Sequence, residues 1–335
     1  MRITSYILIL LLCFSTTVYS NDIKISEESN SVKVIDKSSV KFKLITRVNK
    51  ISTNVIKTKF GDFVKLSIPS YTSNSIDGNP ELPSLNKLIS VPKGAKVVTK
   101  IINKIVKTVH LEDYGIELPL FPNQPSISKG DNPEDIDFIF NKDSYSQNSF
   151  FQSNIVSIEL LGFMRDIELA RISVSPITYN PITNELKIIT NLEIEVSFID
   201  IDFTADKLSK QKYFSADFEH LYKKCLNYLP SNTKDVITTY PVKYVIVSDP
   251  IFQTALQPLI DWKTKKGFSV IEAYTNDPNV GTSTTSIKSY LQNMYDSATI
   301  NNPAPTYLLI VGDDTQVPSF VGAQHVSDMY YCEFD

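Results

Sequence analysis

The spacing of apolar and polar residues divides the chain into two parts. From about residue 33 to residue 198, short runs such as residues 55–66, 95–109 and 155–161 alternate apolar with polar positions and are separated by turn residues. Alternation with a period of two is typical of half-buried β-strands, and many short strands in succession favour an all-β unit. The first part is therefore predicted to be a β-rich domain.

The clearest hairpin of this domain joins residues 172–179 to residues 185–198. Asn180 and Asn184 lie in the connection, where their side chains can bond to nearby backbone groups and so favour a turn. Residues 122–153 are rich in proline, asparagine and serine. That composition predicts a long excursion across the surface of the domain.

A helical period follows the alternating runs. Residues 214–229 repeat their apolar side chains at helical spacing ahead of Pro230, which predicts one amphipathic helix. Cys225 lies on the apolar face of this helix and is expected to be a buried, inert thiol. The polar residues 231–242 are predicted to be a linker.

The second part of the chain alternates strands with helices. Continuously apolar strands are expected where helices cover both faces of a parallel sheet. A strand–helix–strand–helix–strand order predicts a doubly wound α/β sheet with right-handed crossovers. The predicted strands are residues 244–247, 268–273 and 307–311, and the predicted helices are residues 250–266 and 282–298.

The first twenty residues have the pattern of a secretory signal peptide. Arg2 supplies a positive charge, residues 7–14 form an apolar run, and Ser20 is a small residue before polar Asn21. The run is shorter than the roughly 20 apolar residues that a membrane-spanning helix needs. Cleavage after Ser20 is predicted, giving a secreted or cell-surface protein without a stable membrane span. The alternative is an uncleaved N-terminal anchor.

Length and composition fit this division. The chain has 335 residues, of which 42% are hydrophobic and 21% charged, and this length exceeds one typical domain of roughly 100–200 residues. The formal net charge of −4 offers no general attraction to nucleic acid, which is not predicted as a partner. The predicted organisation is a signal peptide (1–20), a β-rich domain (21–230), a linker (231–242) and an α/β portion (243–335).

Two loops lie beyond the carboxyl ends of the predicted parallel strands, where ligands of such sheets bind. Residues 248–250 lack the glycine patterns of dinucleotide and phosphate-binding loops, so no required cofactor is predicted. In the second loop, Asp313 and Asp314 follow Gly312, and their carboxylates suit a hard cation such as calcium. Structural calcium is one prediction for this loop, and capping of the following turn by the same carboxylates is the alternative.

His325 and Cys332 raise the question of a cysteine–histidine pair. Residues 326–334 are β-branched and aromatic and are predicted to be extended, which at ~3.3 Å per residue separates the two side chains by roughly 23 Å. Activation of a thiol by hydrogen bonding needs contact near 3 Å, about the length of one such bond. Neither residue is therefore predicted to be catalytic, and with Cys225 in the other domain no disulfide framework is predicted.

Several segments of the second part together resemble the opening of the gingipain-type cysteine peptidase domain. They are residues 244–247, 259–267, 307–318 and 327–331, and their order and spacing match over about 90 residues. Upstream, residues 78–83 followed by 91–95 are similar to the gingipain propeptide, as is the later hairpin.

This resemblance implies a zymogen exported through the periplasm of a Bacteroidetes-like bacterium. A β-rich inhibitory pro-domain would precede a caspase-like α/β/α catalytic domain that uses a cysteine–histidine dyad on protein or peptide substrates. In the family both dyad residues follow the segment that matches residues 327–331, so they are expected beyond Asp335. No catalytic residue is assigned in this chain, and Cys332 does not take that role.

The leading prediction is therefore the N-terminal portion of a secreted gingipain-like cysteine endopeptidase zymogen, inactive as it stands. Its partners would be its own catalytic domain, the export machinery and peptide substrates. One alternative is a non-enzymatic exported sorting or surface-assembly protein that keeps the peptidase fold, and another is an adhesion module joined to an unrelated domain. Activation cleavage is predicted at Lys234, the only basic residue between Lys224 and Lys243, in an exposed polar linker.

Overall fold

The computed structural model describes residues 22–73, 75–132, 136–150, 154–229, 241–322 and 326–334. The predicted signal peptide with Ser20, most of the predicted linker with Lys234, and His325 lie outside these residues. The described chain begins with strands up to residue 199, continues through short helices at residues 203–222, and ends in an α/β portion from residue 243 onward.

The strands of the β-rich part are β1 (Asp22–Lys24), β2 (Ser31–Ile35), β3 (Lys41–Arg47), β4 (Lys50–Thr58), β5 (Gly61–Ser67), β6 (Thr72–Ser73), β7 (Pro83–Val91), β8 (Lys96–His110), β9 (Val156–Met164), β10 (Ile167–Val174), β11 (Ile177–Asn180) and β12 (Glu185–Ile199). Those of the α/β portion are β13 (Lys243–Ser248), β14 (Ser269–Tyr274), β15 (Tyr307–Val311), β16 (Phe320–Val321) and β17 (Val326–Ser327). The α-helices are α1 (Lys142–Ser146), α2 (Phe203–Tyr213), α3 (Glu219–Tyr222), α4 (Gln253–Lys265) and α5 (Thr284–Asp296).

The β-rich part is built on the long strand β12. In the largest antiparallel sheet, β8 pairs along the length of β12, while β11 and β3 pair with successive segments of it and β2 follows β3. Two smaller antiparallel sheets have the strand orders β1–β4–β5 and β6–β7–β10–β9. The all-β character predicted for this part is confirmed.

Strand β12 supplies both hydrophobic cores of this part. Leu186 and Ile188 pack with residues of β1, β4 and β5 in one core. Leu192 and Ile194 pack with residues of β7 and β10 in the other. The register of β12 against β8 shifts between Ile189 and Asn191. Such a bulge bends the strand, so that its first half packs against one small sheet and its second half against the other.

The predicted turn and second strand are present as the β11–β12 hairpin, but the first predicted strand, residues 172–179, is broken at residues 175–176 and divided between β10 and β11. The Asn180 side chain accepts a hydrogen bond from the Ile182 amide at 3.0 Å, and Asn184 adopts a left-handed φ of 49°. Asparagine tolerates this conformation better than most residues. The two asparagines therefore make the turn that their pattern predicts.

The single helix predicted for residues 214–229 is wrong. Helix α2 ends before it, and the segment itself contains a 3-10 turn at Ala216–Phe218, the short α3 and further turns. Hydrogen bonds to β7 replace those of a continued helix. The Leu226 amide donates to the Leu88 carbonyl at 2.8 Å. The Asn227 side chain accepts a hydrogen bond from the Ser90 amide and donates one to the Ser90 carbonyl. Cys225 is nevertheless buried, as predicted.

The α/β portion forms the predicted parallel sheet, in the order β14–β13–β15. Helix α4 packs on one face through Leu256 and Ile260 against Ile246. Helix α5 covers the other face, where Ile287 packs with Val245 and Val247. Helices on both faces explain why these strands are apolar throughout.

The extended conformation predicted for residues 326–334 is wrong. After β17 the chain turns into a 3-10 helix at Met329–Cys332. The Ser327 hydroxyl accepts a hydrogen bond from the Met329 amide at 3.1 Å, and the buried Tyr331 donates from its hydroxyl to the Pro318 carbonyl at 2.5 Å. Anchoring of Tyr331 overrides the local preference for a strand.

We expect Ile194→Ala to lower the free energy of unfolding by about 2–5 kcal/mol, because it leaves a cavity in a core where Ile194 is fully buried. Ile182→Ala is the matched control, since Ile182 is 54% exposed in the β11–β12 turn and surface substitutions change stability by only about 0.5 kcal/mol. Urea unfolding measures both. Equal losses in the two variants would contradict the role given to β12.

Candidate functional site

The carboxyl edge of the parallel sheet is the first candidate region. Ser248 ends β13 fully buried, and the Asp249 carboxylate accepts a hydrogen bond from the Ile251 amide at 2.9 Å, which caps the turn into α4. Gly312 follows β15 with a φ of 141°. A Cβ at Gly312 would lie 2.8 Å from the Gln316 Cβ, so the loop after β15 requires glycine there.

Asp313 and Asp314 lie together in this loop, exposed to solvent. The Asp313 carboxylate accepts from the Asp314 amide at 2.8 Å, and the Asp314 carboxylate accepts from the Ser319 amide at 2.9 Å. Calcium takes about six to eight oxygen ligands, and the described residues contain no group of three or more acidic, histidine or cysteine side chains placed to hold a metal. The turn-capping role is visible, whereas calcium at this loop stays a prediction.

The two cysteines of the described chain are both unpaired thiols. Burial raises the pKa of Cys225 to about 11. Partial shielding from solvent raises the pKa of Cys332 as well, and nearby Lys288 opposes the shift. A raised pKa keeps a thiol protonated at neutral pH, and the thiolate is the nucleophile. Neither cysteine is therefore set up for catalysis.

The second candidate region is the junction between the β-rich part and the α/β portion. A two-residue loop, Arg165–Asp166, connects β9 to β10, and Arg165 has a φ of 61°. A positive φ is uncommon for a residue with a side chain and stores strain, which the surrounding contacts must offset.

The Arg165 guanidinium provides such contacts. Its Nε donates to the Tyr213 carbonyl and its Nη1 to the Pro305 carbonyl, each at 2.7 Å. The guanidinium also lies 5.2 Å from the centre of the Phe218 ring, within the range of a cation–π interaction. One hairpin residue of the β-rich part thus bonds the α/β portion and the chain segment between them.

Asp166 anchors the other residue of the loop. It is buried, and its carboxylate accepts a hydrogen bond from the Tyr222 hydroxyl at 2.7 Å. Burial raises the pKa of Asp166, while the Tyr222 hydrogen bond and the Arg165 charge act in the opposite direction. Burial and the Asp166 carboxylate also raise the pKa of Tyr222.

Further contacts join residues 212–217 to the start of β15. The Ala304 amide donates to the Lys212 carbonyl at 3.1 Å, and the Tyr213 ring stacks on Tyr295 with centroids 4.8 Å apart. Burial, followed by a hydrogen bond to Asp217, raises the pKa of Tyr307. Because Pro305 and Tyr307 lie where β15 begins, the junction is made at the amino edge of the parallel sheet, opposite the edge that carries Asp313.

Comparisons with known proteins identify both parts of the chain. Residues 24–226 match the family model of the C25 propeptide, and residues 237–335 match the model of peptidase family C25. The chain belongs to peptidase family C25. Its β-rich part is the C25 propeptide, and its α/β portion is the start of the peptidase domain, so the gingipain resemblance of the sequence is confirmed.

Gingipains of Porphyromonas gingivalis are the relatives found. Lys-gingipain is 33% identical over 324 residues, which cover 94% of this chain and 18% of Lys-gingipain. Gingipain R1 is 24% identical over 268 residues, covering 79% of this chain and 26% of that protein. The C25 chain described here therefore spans about a fifth to a quarter of the length of these relatives.

A solved structure that gives insight into zymogenic latency of gingipain K from Porphyromonas gingivalis also matches. The similarity has a TM-score of 0.51 at 33% identity and covers 54% of this chain and 98% of that chain. It supports the fold of the C25 propeptide. Among the described residues, no helix is both long and apolar enough to cross a membrane.

Sequence reasoning did not single out Arg165, Asp166 or Tyr222. Arg165 and Asp166 form the polar break between two apolar runs, which is a turn signal. Their partners are 48 and 140 residues away for Arg165 and 56 residues away for Asp166. No local pattern indicates contacts at such separations.

We expect Asp166→Asn to change how the stability of the C25 chain depends on pH. In the unfolded chain Asp166 ionises near its usual pKa of 3.8, whereas its folded-state pKa is raised. The advantage of the protonated form is present below pH 3.8 and is lost as the pH rises through the folded-state pKa. Asparagine does not titrate and still accepts the Tyr222 hydrogen bond.

The free energy of unfolding of the native chain, minus that of Asp166→Asn, should therefore fall as the pH rises from 3.8 through the raised pKa. Urea unfolding at a series of pH values measures this difference. Asp62→Asn, at an exposed carboxylate of β5, is the matched control. A difference that stays constant with pH for Asp166→Asn would contradict the burial of this carboxylate.

Proposed function

We propose that this C25 chain is the N-terminal zymogen portion of a secreted gingipain-like cysteine endopeptidase, in which the β-rich part keeps the peptidase domain latent. The observation that carries the proposal is the pair of hydrogen bonds from Arg165 to the Tyr213 and Pro305 carbonyls. The bond to Pro305 crosses from the propeptide to the peptidase portion, and the bond to Tyr213 fixes Arg165 against the end of α2, which lies within the propeptide match. The family match to both parts supports the same function.

The peptidase domain is proposed to be caspase-like, with a sheet covered by helices on both faces. Three parallel strands with α4 on one face and α5 on the other are consistent with its opening. The catalytic histidine and cysteine are proposed to follow Asp335 in the longer protein. The raised pKa values of Cys225 and Cys332 support this assignment, because neither thiol is activated.

Substrate is proposed to bind at the carboxyl edge of the sheet, as in other doubly wound domains. The propeptide forms hydrogen bonds with the amino edge, at Ala304 and Pro305, which precede β15. Latency in this proposal includes a restraint on the start of β15 that acts away from the carboxyl edge. A restraint of this kind ends only when the propeptide dissociates.

Export through the periplasm and cleavage at Lys234 complete the proposal. The linker that carries Lys234 separates the two matched families, which end at residue 226 and begin at residue 237. After cleavage at such a linker, the Arg165–Pro305 hydrogen bond, the Lys212–Ala304 hydrogen bond and the Tyr213–Tyr295 stacking would be part of the noncovalent attachment of the propeptide to the peptidase domain. Release of the propeptide would then depend on how strongly they hold.

We expect Arg165→Ala, introduced into the complete precursor, to shorten the lag before peptidase activity develops. A hydrogen bond to a charged group contributes about 1.5–3 kcal/mol, so loss of the bond that crosses to Pro305 should weaken retention of the cleaved propeptide by at least about tenfold. The measurement is the time course of hydrolysis of lysyl and arginyl peptide substrates, with the amount of copurifying propeptide.

Arg171→Ala is the matched control, because Arg171 lies on the same hairpin and its ion pair among the described residues is with exposed Glu159 across the strands. Its lag should equal that of the native precursor. An unchanged lag for Arg165→Ala would contradict the latency role of the junction. A complete lack of hydrolysis in all three precursors would instead favour a non-enzymatic exported protein that keeps the peptidase fold.

A further inference from the structure

The strand β8 has a free edge along its whole length. It runs from Lys96 to His110 and, among the strands that the structure describes, it pairs only with β12. Its other edge therefore presents a row of backbone donors and acceptors without a strand partner. Native proteins normally shorten, bend or cover such an edge, because it can pair with another chain.

The central part of β8 is also bare on both faces. Every residue from 100 to 108 is exposed, although successive side chains of a strand point to opposite faces. Apolar side chains take up much of this surface, and the following five are each 40–52% exposed: Val98, Ile101, Ile102, Ile105 and Val106. A contiguous apolar surface of this kind marks an interaction site more often than an ordinary surface.

Positive charge is interleaved with these apolar side chains. Lysines stand at positions 96, 100, 104 and 107, and β8 contains no acidic residue. Lys96 pairs with Asp200 at 2.9 Å. The other three lysines form no ion pair with any residue of the described chain, within the contacts that the structure shows. In the register of β8 on β12, Lys100 lies opposite Glu195, whereas Lys104 and Lys107 lie opposite the apolar Leu192 and Ile188. Positive charge therefore predominates along an open strand edge.

This charge pattern decides between two kinds of occupant. Two copies of β8 paired edge to edge would bring eight lysines into one ribbon without a carboxylate, and like charges across strands are destabilising. An acidic strand would place carboxylates beside the same lysines while its apolar positions covered the exposed side chains. Charge complementarity of this sort both selects the partner and excludes a second copy.

We propose that β8 is a docking edge that binds an extended acidic segment of another polypeptide by strand addition. The segment would carry carboxylates on both of its faces among β-branched side chains and would add to the free edge of β8. Its carboxylates would lie against Lys100, Lys104 and Lys107, of which Lys104 and Lys107 point to opposite faces because they are three residues apart. Backbone hydrogen bonds along the edge supply affinity, and the side-chain pattern supplies specificity. The register shift of β8 between Ile101 and Asn103 leaves Ile102 without a partner on β12 and available to the added strand.

Binding of two labelled peptides to the whole chain tests this proposal. One peptide has about twelve residues, with glutamate at every third position among valine and threonine, so that carboxylates occupy both faces of the added strand. At ~3.3 Å per residue it is long enough to span most of β8. The other carries lysine at every glutamate position. Fluorescence anisotropy should show binding of the acidic peptide that is at least about tenfold tighter than that of the basic one and that weakens as salt is raised.

Charge-reversed variants locate the binding edge. Lys100→Glu, Lys104→Glu and Lys107→Glu combined in one chain should weaken binding of the acidic peptide by at least about tenfold. The matched control reverses three exposed lysines elsewhere, namely Lys57→Glu, Lys224→Glu and Lys265→Glu, with the same change in net charge. The control should bind like the native chain. Circular dichroism confirms that both variants keep the native fold.

Hydrogen exchange supplies a readout that does not depend on charge alone. Saturation with the acidic peptide should slow amide exchange in residues 97–108. Amide exchange in β4 should not change, because β4 is the central strand of another sheet, β1–β4–β5. Equal affinity for the two peptides, equal weakening in the two variants, or unchanged exchange in β8 would each overturn the proposal. So would a native dimer that the reversal at Lys100, Lys104 and Lys107 alone dissociates, because the occupant would then be a second copy.

Discussion

The Arg165 guanidinium joins two carbonyl oxygens that belong to different parts of the fold. Tyr213 ends the helix that follows the propeptide sheets, and Pro305 leads into β15 of the peptidase portion. The planar guanidinium presents its donors in a fixed fork, so the two carbonyls are held at a defined separation. Lysine, with one ammonium group on a flexible stem, could not impose the same geometry.

The surroundings of Arg165 make this contact costly to form and costly to lose. Its backbone is held at a φ of 61°, and its Nη2 is buried without a hydrogen-bond partner among the described residues. Next to it, the Asp166 carboxylate is buried against the Tyr222 hydroxyl. Strain and burial of this kind persist only where the neighbouring structure fixes them. Here the fixed feature is the relation between the propeptide hairpin and the sheet of the peptidase portion.

Much of the fold could be predicted from the sequence because the signals are local. The fully apolar strand of residues 244–247 is covered by helices on both faces, and its pattern indicates this directly. The helix prediction for residues 214–229 is wrong because Leu226 and Asn227 form hydrogen bonds with β7 instead of with the next helical turn. The strand prediction for residues 326–334 is wrong because the buried Tyr331, hydrogen-bonded to the Pro318 carbonyl, holds the chain in a turn. For the site, the sequence indicated the loop of Asp313 and Asp314, whereas the Arg165 junction depends on contacts too distant in sequence for any motif.

Hydrogen exchange of the Ala304 and Thr306 amides tests the central claim most directly. The Ala304 amide is bonded across the junction to the Lys212 carbonyl, and the nearby Thr306 amide is bonded within the sheet to the Lys243 carbonyl. In Arg165→Ala the account predicts faster exchange at residues 304–306 and 213–218, with exchange in β12 unchanged. Native exchange rates at residues 304–306 in that variant would contradict it, because the junction would then hold without the Arg165 guanidinium.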